Sequence, residues 1–388
     1  MTREFDVIVL GLGGIGSGAA YWLAKRGARV LGLEQFELGH ARGESHDHSR
    51  IIRLSYVTQA YVRLAKEAYR AWESVERDAG ERLVFRTGGL DIGPRDGAIP
   101  MSGYADAMRA CGVPFEWLDA AAIRARWPAF AIDDDIHGIF QEDGGIVAAQ
   151  RATRAHQRAA GAFGATLRDR AAVTSLRDAD GEIEIEAGGE RYRAAKLVVA
   201  AGPWSARALT WFGLRLPLEV TKEQAMYFKA RDLDRFAFGR FPVWIWMDDP
   251  SFYGFPVFGE RGAVKVTQDA GGLPVDADTR GFDEDPAITR RVSEFLARYL
   301  PGALGPQHLV KTCLYTLTPD RDFVIDAVPD HPNVSVAIGA GHAFKFASAI
   351  GRILSELALD GMTTSGISDF AVDRPILQMD TPPKTYMV

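Results

Sequence analysis

Apolar residues recur along this chain in two rhythms. The continuous run at 7–10 and the mostly apolar runs at 29–33, 196–201 and 334–338 suit strands buried on both faces. Longer stretches repeat at three and four. The clearest is 59–79, where Tyr61, Leu64, Ala65, Ala68, Trp72 and Val75 form one stripe and Gly80 stops the helix. That stripe reads as core packing. Further helices are predicted at 101–111, at 119–127 before Pro128, at 150–163, at 286–300 between Asp285-Pro286 and Pro301, and in the stretch leading to Gly361. Alternation at Ile183-Glu184-Ile185-Glu186 marks a half-exposed strand. Strands with turns fall at 88–93 and 136–148, and 215–317 reads as short antiparallel strands.

The first apolar run enters G-L-G-G-I-G at 11–16, a helix follows to Gly27, and the second run ends at Glu34. Gly11 permits the tight turn, Gly13 lets a pyrophosphate reach the backbone, and Gly16 allows close helix–strand packing. The N–H groups at the helix start, from Gly14 and Ile15, face the phosphates. Glu34 stands where a ribose hydroxyl is accepted. A bound dinucleotide is expected, and the unit does not separate NAD from FAD. Similar strand-to-glycine turns return at Gly202-Pro203-Trp204 and Gly339-Ala340-Gly341. Nucleotide-type elements thus stand at the start, middle and end, with β-rich inserts between them. The expected division is 1–85, 140–215 and 318–388 against 86–139 and 216–317. The expected fold class is α/β (α+β overall): a Rossmann-like domain and a mostly antiparallel β-sheet domain.

Composition narrows the partners. The net charge of −6 over 388 residues offers no basic excess for nucleic acid or an anionic membrane. No apolar run reaches the ~18 residues of a membrane span. With a strand already at residue 5 no signal peptide is expected, and Tyr386-Met387-Val388 does not match a peroxisomal address. Two distant cysteines, Cys111 and Cys313, make no disulfide framework, so a reducing, cytoplasmic compartment is expected. His40, His46 and His48 match no zinc spacing, and no metal is expected. In Arg50-Ile51-Ile52-Arg53 the arginines share a face if the segment is helical, and taken alone they read as a solvated basic face. Cys313, taken alone, reads as a small buried hydrophobe.

Several motifs in one order give the chain a family likeness. They are the glycine turn with Glu34, His46 with Arg50-Ile51-Ile52-Arg53, Tyr253-Gly254-Phe255-Pro256, Lys265, the stretch from Lys311 through Cys313 and Tyr315 to Asp320, and Gly341-His342-Ala343-Phe344-Lys345-Phe346. Nearly end to end, the chain resembles the monomeric sarcosine oxidase and N-methyltryptophan oxidase family. The resemblance implies FAD, a p-hydroxybenzoate-hydroxylase-like fold, and a monomer that oxidises a secondary or cyclic α-amino acid with O2, releasing H2O2. It implies a thioether from Cys313 to the flavin 8α carbon. Arg53 and Lys345 become a clamp for the substrate carboxylate, which a dry site needs as fixed cations. Arg50 lies against the flavin, and Lys265 becomes the cation that lowers the barrier to electron transfer onto O2. Tyr253 and Tyr315 line the substrate pocket and His46 sits near the flavin. Ser45, Gly202, Gly341, His342 and Phe344 fall on the cofactor side.

One departure stands out. Four residues after Lys265 the sarcosine oxidases carry a substrate-contacting histidine, and here Asp269 takes that place. Such an acid either pairs with Lys265 or favours a substrate with a distal cation or hydroxyl. Trp244 and Trp246 are expected to border the pocket. Competing readings are a dehydrogenase of the same fold feeding a quinone or carrier, an NAD(P)-binding protein, and a flavoprotein acting on tRNA. The Cys313 motif and the late glycine return speak against the second, and the acidic charge against the third.

Overall fold

The computed structural model describes residues 3–179 and 181–384, so the C-terminal tripeptide lies outside the described residues. An eight-stranded sheet is built on the first apolar run. Arg3–Leu10 runs parallel to Glu190–Val199 on one side and Val30–Leu33 on the other. His331–Ile338 and Thr166–Arg168 add parallel strands outside these. The parallel strands finish at Leu10, Leu33, Val199 and Ile338, so their glycine turns gather along one edge, where open α/β sheets bind ligands. Helices Gly14–Lys25, Gln59–Ala79, Ala149–Ala162 and Ala347–Asp360 share one core with this sheet.

Gly11 has φ +91, and a Cβ there would stand 2.5 Å from Ala200 O. Only glycine makes this turn beside the neighbouring strand.

A nine-stranded sheet forms the second layer, antiparallel except where Val243–Trp246 runs beside Gly89–Pro94. Glu219–Lys229 pairs with both Ala263–Gln268 and Gln307–Leu317. A three-stranded sheet of Arg50–Ile52, Gly145–Val147 and Val84–Arg86 lies between. The Arg50–Arg53 stretch is therefore a strand and its exit. Neither the helix nor the solvated face holds: Arg53 is buried, because its guanidinium finds a buried carboxylate.

No described helix is long and apolar enough to cross a membrane. Among the described residues no cluster of His, Cys, Asp or Glu is arranged to hold a metal.

Candidate active site

The glycine edge opens into a cavity of about 510 Å³. Gly11, Gly13, Gly14, Ile15, Glu34, Ser45, His46 and Gly202 all line it. Glu34 Oε2 accepts the Leu12 N–H at 3.0 Å and Oε1 accepts the Phe36 N–H at 3.1 Å. Burial pushes the Glu34 carboxyl up, but His40 and these N–H groups more than offset it, so it stays charged. Ser45 Oγ accepts the Gly14 N–H at 2.8 Å, at the helix start. Small backbone walls, a helix N-terminus and an ionised acid at the second strand's end fit a dinucleotide.

A second cavity, about 140 Å³, shares Gly14, Ile15, Glu44, Ser45 and Gly339 with the first. Arg50, Arg53, Tyr253, Asp269, Tyr315, Gly341, His342, Phe344 and Lys345 converge on it from five separate parts of the sequence. Arg50 is pinned by three carbonyls, those of Ser49, Glu44 and His46, at 3.0, 2.8 and 2.9 Å. Arg53 Nη1 donates to Asp91 Oδ1 at 3.0 Å, and Ser55 Oγ also donates to Asp91. Burial opposes the Arg53 charge, but Asp91 outweighs it. The buried Arg53 Nε has no acceptor in hydrogen-bond geometry.

Lys345 Nζ lies 5.7 Å from the Tyr56 ring and 5.8 Å from Phe346, with no carboxylate within ion-pair distance among the described residues. Burial, reinforced by Arg53, brings Lys345 down to about 7. Gly341 has φ +81, and a Cβ there would meet the Tyr315 ring at 2.6 Å, so this glycine is what lets Tyr315 reach the cavity. The Tyr253 and Tyr315 hydroxyls are 3.2 Å apart, and Tyr315 OH donates to Asp269 Oδ1 at 3.4 Å. His342 Nε2 sits 2.9 Å from Arg321 O, and burial keeps the ring neutral.

Lys265 and Cys313 lie beside both cavities, around a small void shared with His46, Arg50, Tyr253 and Tyr315. Burial brings Lys265 down to about 8, with Asp47 opposing. Burial pushes the Cys313 thiol up to about 11, against the pull of Arg50. His46 is held near 4 by burial and Arg50, so it stays neutral, 3.1 Å from Thr312 O.

Two expectations fail. Asp269 does not pair with Lys265. It pairs with Arg321 Nη1 at 3.0 Å, while Lys265 Nζ lies 2.7 Å from Asp47 Oδ2. Arg321 reaches Asp269 from a turn at φ +57, after the strand that carries Tyr315. Trp244 and Trp246 do not border the pocket. They pack at 5.5 and 5.3 Å on Phe295 of helix Pro286–Tyr299, and Ile245 between them faces the cavity. Residues unforeseen from the sequence are Asp47, Asp91 and Arg321. A lone acid inside the apolar strand Gly88-Gly89-Leu90-Asp91-Ile92-Gly93 was the available signal for Asp91.

A dinucleotide cavity opening onto a small cationic chamber, roofed by a mostly antiparallel sheet, defines an oxidoreductase of the two-domain flavoprotein class. The family model described as FAD dependent oxidoreductase matches residues 6–357. The monomeric sarcosine oxidase of Bacillus sp. (strain B-0618) is 33% identical, over 97% of this chain and 98% of that protein. The N-methyl-L-tryptophan oxidase of Shigella dysenteriae is 30% identical, over 96% and 99%. Among solved structures, NikD, an unusual amino acid oxidase essential for nikkomycin biosynthesis, superposes with a TM-score of 0.85 at 30% identity, covering 95% of this chain and 98% of that one. The chain belongs to the FAD-dependent oxidoreductases and, within them, to the sarcosine oxidase and N-methyltryptophan oxidase group of amine oxidoreductases.

Proposed function

We propose that this protein oxidises N-methyl or cyclic α-amino acids, with FAD tethered to Cys313 and O2 as the electron acceptor. The observation that carries the reading is the pairing of Arg53 and Lys345 in one buried chamber beside Cys313 and Lys265. FAD, when bound, would supply the redox chemistry: acceptance of a hydride from the carbon next to nitrogen and two-electron reduction of O2, with an imine and H2O2 as products. Segments 1–85, 140–215 and 318–388 hold the dinucleotide, and 86–139 and 216–317 roof the substrate.

Arg53 and Lys345 grip the carboxylate and fix the neighbouring C–H bond. Tyr253 and Tyr315, kept neutral by burial, orient the amine without a charge of their own. The amine binds deprotonated, so no strong base is required. Asp269, already tied to Arg321, presents Oδ1 toward the tyrosines and favours a substrate with a distal donor. Lys265 places a positive charge where O2 gains its electrons. The chain acts as a cytoplasmic monomer.

The test supplies purified enzyme with sarcosine, other N-methyl amino acids, proline and pipecolate, and measures peroxide. Release with one or more of them is expected. Reduction of dyes or quinone with no O2 uptake would replace the oxidase by a dehydrogenase.

A further inference from the structure

Behind Lys265 a string of ionisable groups leads to the surface. Lys265 Nζ is 2.7 Å from Asp47 Oδ2. The other oxygen, Asp47 Oδ1, accepts from Lys311 Nζ at 3.0 Å and from Tyr227 OH at 2.6 Å. Lys311 Nζ is 3.2 Å from His48 Nε2, which lies 2.8 Å from Glu260 Oε1. Exposure rises along this path. The Lys265 and Asp47 side chains are 3% exposed, those of Lys311 and His48 27% and 28%. Holding Lys265 alone takes one carboxylate oxygen. Here the second oxygen carries another ammonium that reaches water. Asp47 also sits at φ 87, a conformation that side chains rarely adopt. Such an outlier at a site points to a role for the side chain that holds it there.

We propose that Asp47, Lys311 and His48 form a proton relay that recharges Lys265 from solvent while O2 is reduced; this rests on the oxidase reading above. Reduction of O2 to H2O2 takes two electrons and two protons. Both electrons and one proton, that of N5–H, come from the reduced flavin. The second proton leaves the Lys265 ammonium, which becomes an amine. Asp47, which Lys265, Arg50 and Lys311 hold ionised, first takes a proton on Oδ1 from Lys311; the carboxyl then turns to hand that proton to the Lys265 amine and is a carboxylate again, and Lys311 is refilled from water through His48.

The other groups facing this pair do not change charge near neutrality. Arg50, 4.0 Å from Asp47, stays charged. Burial holds His46 near 4, lifts Cys313 to about 11 and raises Tyr227 above its usual range. Lys265, near 8, is the group poised to exchange its proton. The three intervening residues act through Lys265, so they are positioning and relay residues.

The test uses the flavin-loaded enzyme in stopped flow, with Asp47→Asn and Lys311→Met. In Lys311→Met, anaerobic flavin reduction by an N-methyl amino acid stays near the wild-type rate. Reoxidation by O2 slows about 10- to 100-fold in dilute buffer and recovers in proportion to added imidazole. A second readout needs no turnover. In NMR of isotope-labelled lysine, with and without flavin, Lys265 titrates near 8 in the wild type and lower in Asp47→Asn. If the asparagine variant does not fold, Asp47→Gly suits the same backbone and carries both measurements. Wild-type reoxidation in the variants, slowing that imidazole does not relieve in Lys311→Met, or an unmoved Lys265 titration each overturn the relay. A wild-type enzyme that reduces dyes but not O2 overturns the oxidase reading, and the relay with it.

Discussion

Among the described residues lining the smaller cavity, Lys345 is the cation with no carboxylate within ion-pair distance, and Lys345→Met removes it. Arg53 is matched by Asp91 and Arg321 by Asp269, both at 3.0 Å, and Arg50 lies 4.0 Å from Asp47 besides being held by carbonyls. A carboxylate entering the chamber therefore finds its strongest uncompensated partner in Lys345. A hydrogen bond to a charged group contributes about 1.5–3 kcal/mol, so the variant should bind a carboxylate roughly 10- to 150-fold more weakly. The pH dependence has a definite sign. Free Lys345 titrates near 7, charged below and neutral above. Above that point, wild-type affinity for an anion should fall about tenfold per pH unit, until the pKa of the bound form is passed. The assay is titration of a carboxylate that has no amine, followed by flavin absorbance, so that substrate-amine ionisation does not enter. The expected result is a steep fall between about pH 7 and 8 in the wild type and a weak, flat response in Lys345→Met. An equal slope in both would refute the reasoning. It would transfer the titration to Glu44 or Glu223, which burial lifts to about 7.

Cys313→Ala should release the yellow colour into the supernatant on acid precipitation, whereas wild-type colour stays with the chain; colour in both supernatants would reject the tether. Asp91→Asn leaves Arg53 buried without a counter-charge and should cost about 3–5 kcal/mol of stability. A bound carboxylate should then raise the melting temperature of this variant more than that of the wild type, and equal shifts in calorimetry would count against the pairing. Gly341→Ala forces a Cβ against the Tyr315 ring at positive φ, and should lower both stability, by about 1–3 kcal/mol, and amino-acid turnover. Unchanged unfolding would show that the turn has room to relax.

What the sequence shows on its face is local. Buried runs, glycine turns and helical stripes depend on neighbours a few residues away, so the nucleotide edge from Leu10 to Glu34 was legible. Partners were not. Trp244 and Trp246 necessarily share one face of their strand and Ile245 the other. Which face meets the cavity is decided by Phe295, on a helix about fifty residues later. Asp269 and Lys265 are four apart, yet each found its counter-ion elsewhere, because Arg321 and Asp47 arrive at positive φ from turns that period rules do not describe.

The two ion pairs explain why the chamber keeps its charge. Arg53 leaves the three-stranded sheet and meets Asp91 on the nine-stranded one. Asp269 directly follows the strand Ala263–Gln268 of the nine-stranded sheet and meets Arg321, on the way back to the eight-stranded one. A buried charge persists only when paired or when it cannot neutralise itself. Arginine satisfies both conditions, and lysine without a partner satisfies neither. Lys345 therefore yields its proton near pH 7 until an anion arrives, and anion binding is proton uptake. Calorimetry at about pH 8 in buffers of different ionisation enthalpy should show close to one proton taken up per carboxylate bound by the wild type, and none by Lys345→Met. Equal uptake by both would mean that the anion is met by some other titrating group, and that Lys345 is only a wall of the chamber.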